Sequence, residues 1–392
     1  MKYIFTIIIT ITFFMCFILK KNIKAVTALI STFLILLIFY PKASINGAKE
    51  GINLWMFIVI PSLLPFFIIN DMLMSLKVPE NIAKLFAPVI KLLFNTTGYG
   101  AYVFIMSIFS GYPSGAKIVN DLIKSKKISV KEGQKILTFS STSGPLFIIG
   151  AVGSGMLKYS IAGYILYISH ILGAILNGIL FRFILKDADK NKFNYNNNFY
   201  SENYYSSSEI FSKAISSSLI TCGLIGGYII MFSVIIYLLR EIQYFDIIGY
   251  LLQKFFHLSS FFTFTIKSLF ETSLEISNGA KIISLMDKSF TYKMCLLSFI
   301  IAFSGLSIIG QVSGILSKSG INIKLYVISK VFHGIFSSLL CFIFIMLLNI
   351  RVFVFNIKNS ASVLNVIVLL ELLLIIILIL NIISYKIKFS KN

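Results

Sequence analysis

Ser110 to Lys117 reads S-G-Y-P-S-G-A-K, and it interrupts a hydrophobic segment. Upstream lies an apolar run from Tyr99 to Phe109, and downstream Ile118 to Ile123 resumes an amphipathic pattern. Pro113 removes a backbone donor, while Gly111 and Gly115 allow close backbone approach. A helix broken at membrane depth must satisfy its freed backbone groups, which is tolerated only inside protein or beside a watery cavity. The stretch has a partner about 164 residues later: Ser277 to Lys281 reads S-N-G-A-K in a similar apolar setting. Matched breaks in two halves of a membrane protein point to a transport site.

The whole composition agrees with a membrane setting. The chain of 392 residues is 57% hydrophobic and only 13% charged, and it carries many apolar runs long enough to span. The net charge of +20 fits basic loops on one side of a membrane, and no soluble basic face for a nucleic acid is present. Cys16, Cys222, Cys295 and Cys341 lie in apolar runs without metal-like spacing. No metal site, cofactor or catalytic residue is expected. The three histidines are scattered, and one carboxylate pair is too little for a membrane enzyme.

Two membrane helices, Tyr3–Leu19 and Ala25–Tyr40, form the expected unit 1–41, and Pro41 ends the second. The first repeat is read as 42–186. It holds a span with Pro61 and Pro65 (51–76), an interfacial amphipathic helix with Lys84 and Lys91, and a re-entrant hairpin about Gly111–Gly115. A discontinuous helix follows, interrupted at S-S-T-S-G-P (140–145), and then a closing span with His170 inside it. An Asn- and Tyr-rich linker occupies 187–208. The second repeat, 209–350, follows the same order: S-G-L-S-I-I-G-Q-V (304–312) answers S-G-P-L-F-I-I-G-A-V (143–152). The repeat alignment sets His170 opposite Lys330. A last helix and basic tail make up 351–392.

The fold class is therefore all-α, a polytopic membrane protein of about nine spans with two repeats. Each repeat crosses three times, an odd number, so the second enters from the opposite side and the repeats are inverted. Segments 20–24, 77–91, 124–135, 182–213 and the tail fall on one side and carry the heavier lysine and arginine load, which makes that side cytoplasmic.

The stretch G-I-N-L-W-M-F-I-V-I-P-S-L-L-P-F-F (51–67), followed by S-G-Y-P-S-G-A-K, resembles the sporulation integral membrane protein family YlbJ. Its paired repeats are similar to the Gate, or nucleoside-recognition, domains of concentrative nucleoside transporters and the ferrous-iron permease. The resemblance covers about 45–350. It implies a late-sporulation role in the mother-cell-derived outer forespore membrane, a multi-pass protein in the bilayer, and transport of dipicolinate toward the spore. It leaves room for a homo-oligomer or for other sporulation membrane proteins as partners. Other readings are a nucleoside, metal or other small-solute transporter, or a non-transporting spore-envelope assembly factor.

Site residues follow from the breaks. Gly111, Ser114 and Gly115 in the first tip answer Asn278 and Gly279 in the second. Lys117 and Lys281 begin the hairpins' second arms, where free N–H groups and an ammonium make a site for a small anion such as a planar dicarboxylate. Inverted symmetry would bring the two lysines toward a common midplane. Ser140, Ser141, Thr142 and Ser143, with Ser304, Ser307 and Gln311 in the second copy, can hydrogen-bond a carboxylate from the unwound segments. Glu271 and Glu275, four apart and read as one helical face, are expected to couple transport to an ion. The inverted topology has a direct check: a cysteine placed at Lys127 should label from the cytoplasmic side and one at Lys288 from the opposite side. Labelling of both from one side would mean parallel repeats.

Overall fold

A computed structural model of the chain describes residue 9 and residues 23–76, 78–185, 207–257 and 259–348. The expected helices at 3–19 and 363–385 lie outside the described residues, as does nearly all of the linker. Every regular element among the described residues is helical.

Helix α1, Ile23–Phe39, is mostly apolar, with Lys24, Thr27, Ser31 and Thr32 as its polar residues. It ends where Pro41, which has no N–H to give, opens α2, Pro41–Leu54. The two axes differ by 103°. α2 runs through a π-helical turn, Trp55–Val59, into α3, Ile60–Ser75. Pro61 and Pro65 explain the turn, because each withholds a donor and crowds the carbonyl four residues back. This first span thus starts at Pro41, ten residues earlier than the apolar run suggests, because α2 buries Ala43, Gly47 and Gly51 rather than presenting an apolar surface. α4, Val78–Phe94, is amphipathic and meets α5, Tyr99–Ser110, at 89°.

The first hairpin is α5 and α6, Ser114–Lys124, joined at Gly111–Pro113. Arms of 12 and 11 residues reach about 18 Å and 17 Å at 1.5 Å per residue, too short for a hydrocarbon core of about 30 Å. α7, Val130–Ser140, then breaks, and the chain resumes as a π-helical segment, Leu146–Met156. α8, Ser160–Ile184, closes the repeat. The second half repeats this order. α9 is Ser207–Glu241, α10 Tyr244–Phe256, α11 Ser260–Thr272 and α12 Ile276–Ser284. α13, Phe290–Phe303, and α14, Gly305–Ile315, are parted by Ser304, and α15, Ile323–Leu347, comes last.

Among the described residues four helices are long and apolar enough to cross a membrane, and six if each bent pair counts as one. Seven of the nine expected spans fall in the described region. The three that no single long helix supplies are the 17-residue α1, the proline-interrupted path from α2 to α3, and the broken path from α7 to Met156. Large apolar side chains stand exposed along the outer faces, among them Phe57, Leu85, Phe183 and Ile220, as a lipid-facing surface requires.

Like helices of the two repeats pack on each other. α8 crosses α15 where Gly173 abuts Ser337. α2 lies on α9, where a Cβ on Gly47 would sit 2.8 Å from the Val234 Cα and one on Gly51 2.6 Å from the Ile230 Cα. Trp55 fills the space over Gly226 and donates from its indole Nε1 to the Cys222 carbonyl at 2.9 Å. Small residues four apart permit this backbone approach, since lipid offers helices no hydrophobic drive to associate. Gly51→Leu should force α2 from α9 at a cost of about 1–3 kcal/mol or more. A lowered thermal midpoint of the purified protein would show it, whereas Ile52→Leu, on an exposed face, should leave the midpoint in place.

Candidate functional site

Both hairpin tips, the first break and the helix after the second break line one open cavity, with about 640 Å³ of empty space when the adjoining solvent is included. Ser110, Gly111 and Tyr112 come from the first tip, and Glu275, Ile276 and Ser277 from the second. Ser143 and Gly144 enter from the first break, and Ile308 and Gln311 from the helix after the second. Apolar walls are closed by Phe109 and Phe147 and by Ile58 and Ile225 of the two long first helices. The lining is mostly apolar with a few polar groups, as small-molecule sites are.

The first tip is set by Gly111, whose φ of +80° suits glycine alone among common residues and whose missing side chain lets it lie against the Gly144 amide. Ser114 turns inward to Ser110 and to the Gly111 carbonyl. The second tip is set by Glu275. Its carboxylate accepts from the Ser277 and Asn278 amides at 3.0 Å and 2.7 Å and caps α12. The tip's Ser273 and Leu274 carbonyls accept from the Leu306 and Ser307 amides at 2.7 Å and 2.9 Å, which locks the tip to the start of α14.

Several expected site residues do other work. Lys117 is buried and its Nζ donates to both carboxylate oxygens of Asp71 at 2.6 Å. Lys281 is half exposed and pairs with Glu50 at 3.2 Å. Asp71 and Glu50 sit on the same long first helix, 21 residues apart by their numbering, which is roughly 30 Å of helix. The two lysines therefore do not converge at a midplane; they hold two well-separated points along one helix of the first repeat. Their charges are spent on carboxylates and leave no paired anion site.

Glu271 and Glu275 do not share a helical face, because α11 ends at Thr272 and Glu275 caps the next helix. Glu271 pairs with Arg240 at 2.7 Å. Gly115 and Gly279 do not border the cavity: a side chain at Gly115 would strike the Ser140 carbonyl, and one at Gly279 the Thr272 carbonyl. A larger residue there would misplace the hairpin rather than plug the site. Asn278 turns away to the Ser233 hydroxyl at 3.2 Å. Ser140, Thr142 and Ser304 are buried behind the cavity wall. Gly111, Ser143, Gln311 and Glu275 are the expected residues that do line it.

Behind Tyr112 lies a polar cluster that the sequence did not mark as a unit. The Lys330 Nζ donates to the Tyr112 hydroxyl at 2.7 Å and the Ser141 carbonyl at 2.8 Å, and it meets His333 Nδ1 at 3.0 Å. The Ser143 amide donates to His170 Nε2 at 2.8 Å, and His333 Nε2 lies 3.0 Å from the His170 carbonyl. Ser141 shares a hydrogen bond with Tyr326 at 2.7 Å. His170 corresponds to His333, not to Lys330 as the motif alignment had it: each is the eleventh residue of a 25-residue closing helix. Helix register, visible only once the helix starts are fixed, gives the correct match.

No family model matches the chain. It is 31% identical over 343 residues to the sporulation integral membrane protein YlbJ of Bacillus subtilis (strain 168), covering 83% of each chain. The chain belongs to the YlbJ family. Its fold is similar to that of CNTnw variants in two solved structures. One, in an intermediate 3 state, matches with a TM-score of 0.53 at 14% identity over 88% of this chain and 92% of that one. The other, in an outward-facing state, matches with a TM-score of 0.51 at 14% identity over 89% and 91%. This YlbJ-family chain is thus a multi-pass membrane protein whose fold is that of the CNTnw structures.

The ion pairs can be separated by stability. Lys117→Gln strands a buried carboxylate, a change that typically costs about 3–5 kcal/mol, and should lower the thermal midpoint strongly. Adding Asp71→Asn should restore part of the loss. Lys281→Gln breaks an exposed pair worth about 0–1 kcal/mol and should be nearly silent. Equal losses from the two lysines would refute this division.

Proposed function

We propose that this YlbJ-family chain transports a small anionic solute, dipicolinate, across the mother-cell-derived outer forespore membrane. The observation that carries the transport reading is a cavity lined by both hairpin tips, by the first helix break and by the helix that follows the second. A scaffold would have no use for interruptions gathered on one cavity. The sporulation role comes from the kinship to YlbJ.

The lining supports a flat anion in a different way from a pair of flanking lysines. Phe109, Tyr112 and Phe147 offer aromatic surface for a planar ring. Ser110, Ser143, Ser277 and Gln311 offer neutral donors at the edge. The Glu275 carboxylate is already held by two amides at a helix N-terminus, which offsets its charge toward a solute. Lys330, one hydrogen bond behind Tyr112, is the nearby cation with no carboxylate on its ammonium among the described residues. Gate-like repeats also allow a nucleoside, and the aromatic walls would accept one. The positive field of Lys330 favours the anion.

Vesicles carrying the purified protein should take up labelled dipicolinate and not uridine. Gln311→Ala should raise the apparent KM for dipicolinate about tenfold or more, since a hydrogen bond to a charged group is worth about 1.5–3 kcal/mol and each 1.4 kcal/mol is tenfold. Uridine flux without dipicolinate flux would replace this reading with the nucleoside one.

A further inference from the structure

We propose that the Lys330 ammonium is a tethered cation filling a monovalent-cation site made by the C-terminal ends of two half-helices, so that the broken helices are held together without a bound metal ion. The inference does not depend on which solute is carried.

Helix C-termini leave carbonyls without intrahelical partners. At the end of α7 the Ser141 carbonyl accepts from Lys330 Nζ at 2.8 Å. At the end of α13 the Ile301 and Ala302 carbonyls accept from the Tyr112 hydroxyl, each at 3.2 Å. The oxygen of that hydroxyl in turn accepts from Lys330 Nζ at 2.7 Å. One ammonium therefore serves both helix ends, directly on α7 and through a tyrosine on α13. Each helix end carries a partial negative charge, so the two together offset part of the positive charge between them. The Tyr112 ring lies 4.7 Å from the ammonium and adds a cation–π contact.

The hydrogen-bond roles suit an ammonium. His333 Nε2 lies 3.0 Å from the His170 carbonyl, which can only accept, so that nitrogen carries the proton and Nδ1 is left to accept. Tyr112 has given its proton to the α13 carbonyls. The Ser141 carbonyl also only accepts. All three neighbours of Lys330 Nζ thus require a donor. An ammonium has three N–H groups to give, and a neutral amine has two. The side chain is fully buried, as are His170 and His333. An ammonium so placed is costly unless surrounding dipoles replace water, which the two helix ends do. Carbonyls of unwound segments and half-helix C-termini are the groups with which transporters hold sodium ions or protons. Here a side chain of the chain itself occupies that place.

Removing the side chain should uncover the site. The purified full chain is melted in chloride salts of choline, sodium, potassium and methylammonium at equal ionic strength. Wild type should melt at one temperature in all four. Lys330→Ala should melt lower in choline, and methylammonium or sodium should recover most of the loss in a saturable way. Tyr112→Phe keeps the ammonium but cuts its link to α13; it should melt lower with no response to any cation. A wild-type midpoint that rises saturably with sodium or potassium would overturn the proposal, and this holds even if Lys330→Ala does not fold. A folded Lys330→Ala protein indifferent to all four cations would overturn it equally.

Discussion

Backbone groups freed by a broken helix in a membrane must find partners inside the protein, and the centre of this molecule is arranged around that demand. Four interruptions are gathered in one place, and their freed groups are answered by different means. Amides after the second tip are taken by the Glu275 carboxylate. Those at the start of α14 are taken by tip carbonyls. The Ser143 amide is taken by His170, and the carbonyls ending α7 and α13 by Lys330 and Tyr112. The cavity is what remains between groups already satisfied. Its polar lining can therefore turn to a solute without leaving the scaffold short of hydrogen bonds.

Charge follows the same logic. The buried Lys117 and Glu275 are held by a carboxylate and by two amides with a helix dipole, respectively. The Lys330 ammonium, like the Glu275 carboxylate, is met by dipoles and neutral partners: the Tyr112 hydroxyl, the Ser141 carbonyl and His333. That leaves the cluster behind Tyr112 as the electropositive wall of the cavity, although the more visible lysines of the sequence lie elsewhere.

Much of the fold was legible because it is local. Prolines, glycines and apolar run lengths mark the two breaks in each half, and the recurrence of G-A-K and of S-G followed by I-I-G, with one residue fewer in the second copy, marks the duplication. The site was legible in part: Gly111, Ser143, Glu275 and Gln311 follow from their positions in the breaks. What could not be read is which long-range partner each charge meets. Asp71 lies 46 residues before Lys117, and nothing in their spacing joins them. The Lys330 cluster draws on α7, α8, α15 and the first tip, a convergence that only the packing creates. The closing helices could have yielded one clue. His170 and His333 share a register counted from the helix start, but that start is set by Asn322 capping α15, a subtler signal than the match of Y-I-S (167–169) to Y-V-I-S (326–329), which sets His170 opposite Lys330.

The duplication supplies shape, and the two copies then diverge in chemistry. The first tip is neutral and bends through Gly111, whereas the second carries a carboxylate that caps its own helix. The first break is a five-residue stretch, 141–145, with three hydroxyl side chains, whereas the second is the single residue Ser304 in a left-handed conformation. A pseudo-symmetric cavity with identical halves would present the same surface to a solute from either side. This one sets an acid on one tip and a lysine-backed tyrosine on the other, so opposite ends of a bound solute meet different fields. An inverted repeat gives access from both sides of the membrane. The divergence of the tips makes the two sides of the cavity chemically unequal, an acid held by amides on one and a tyrosine backed by Lys330 on the other.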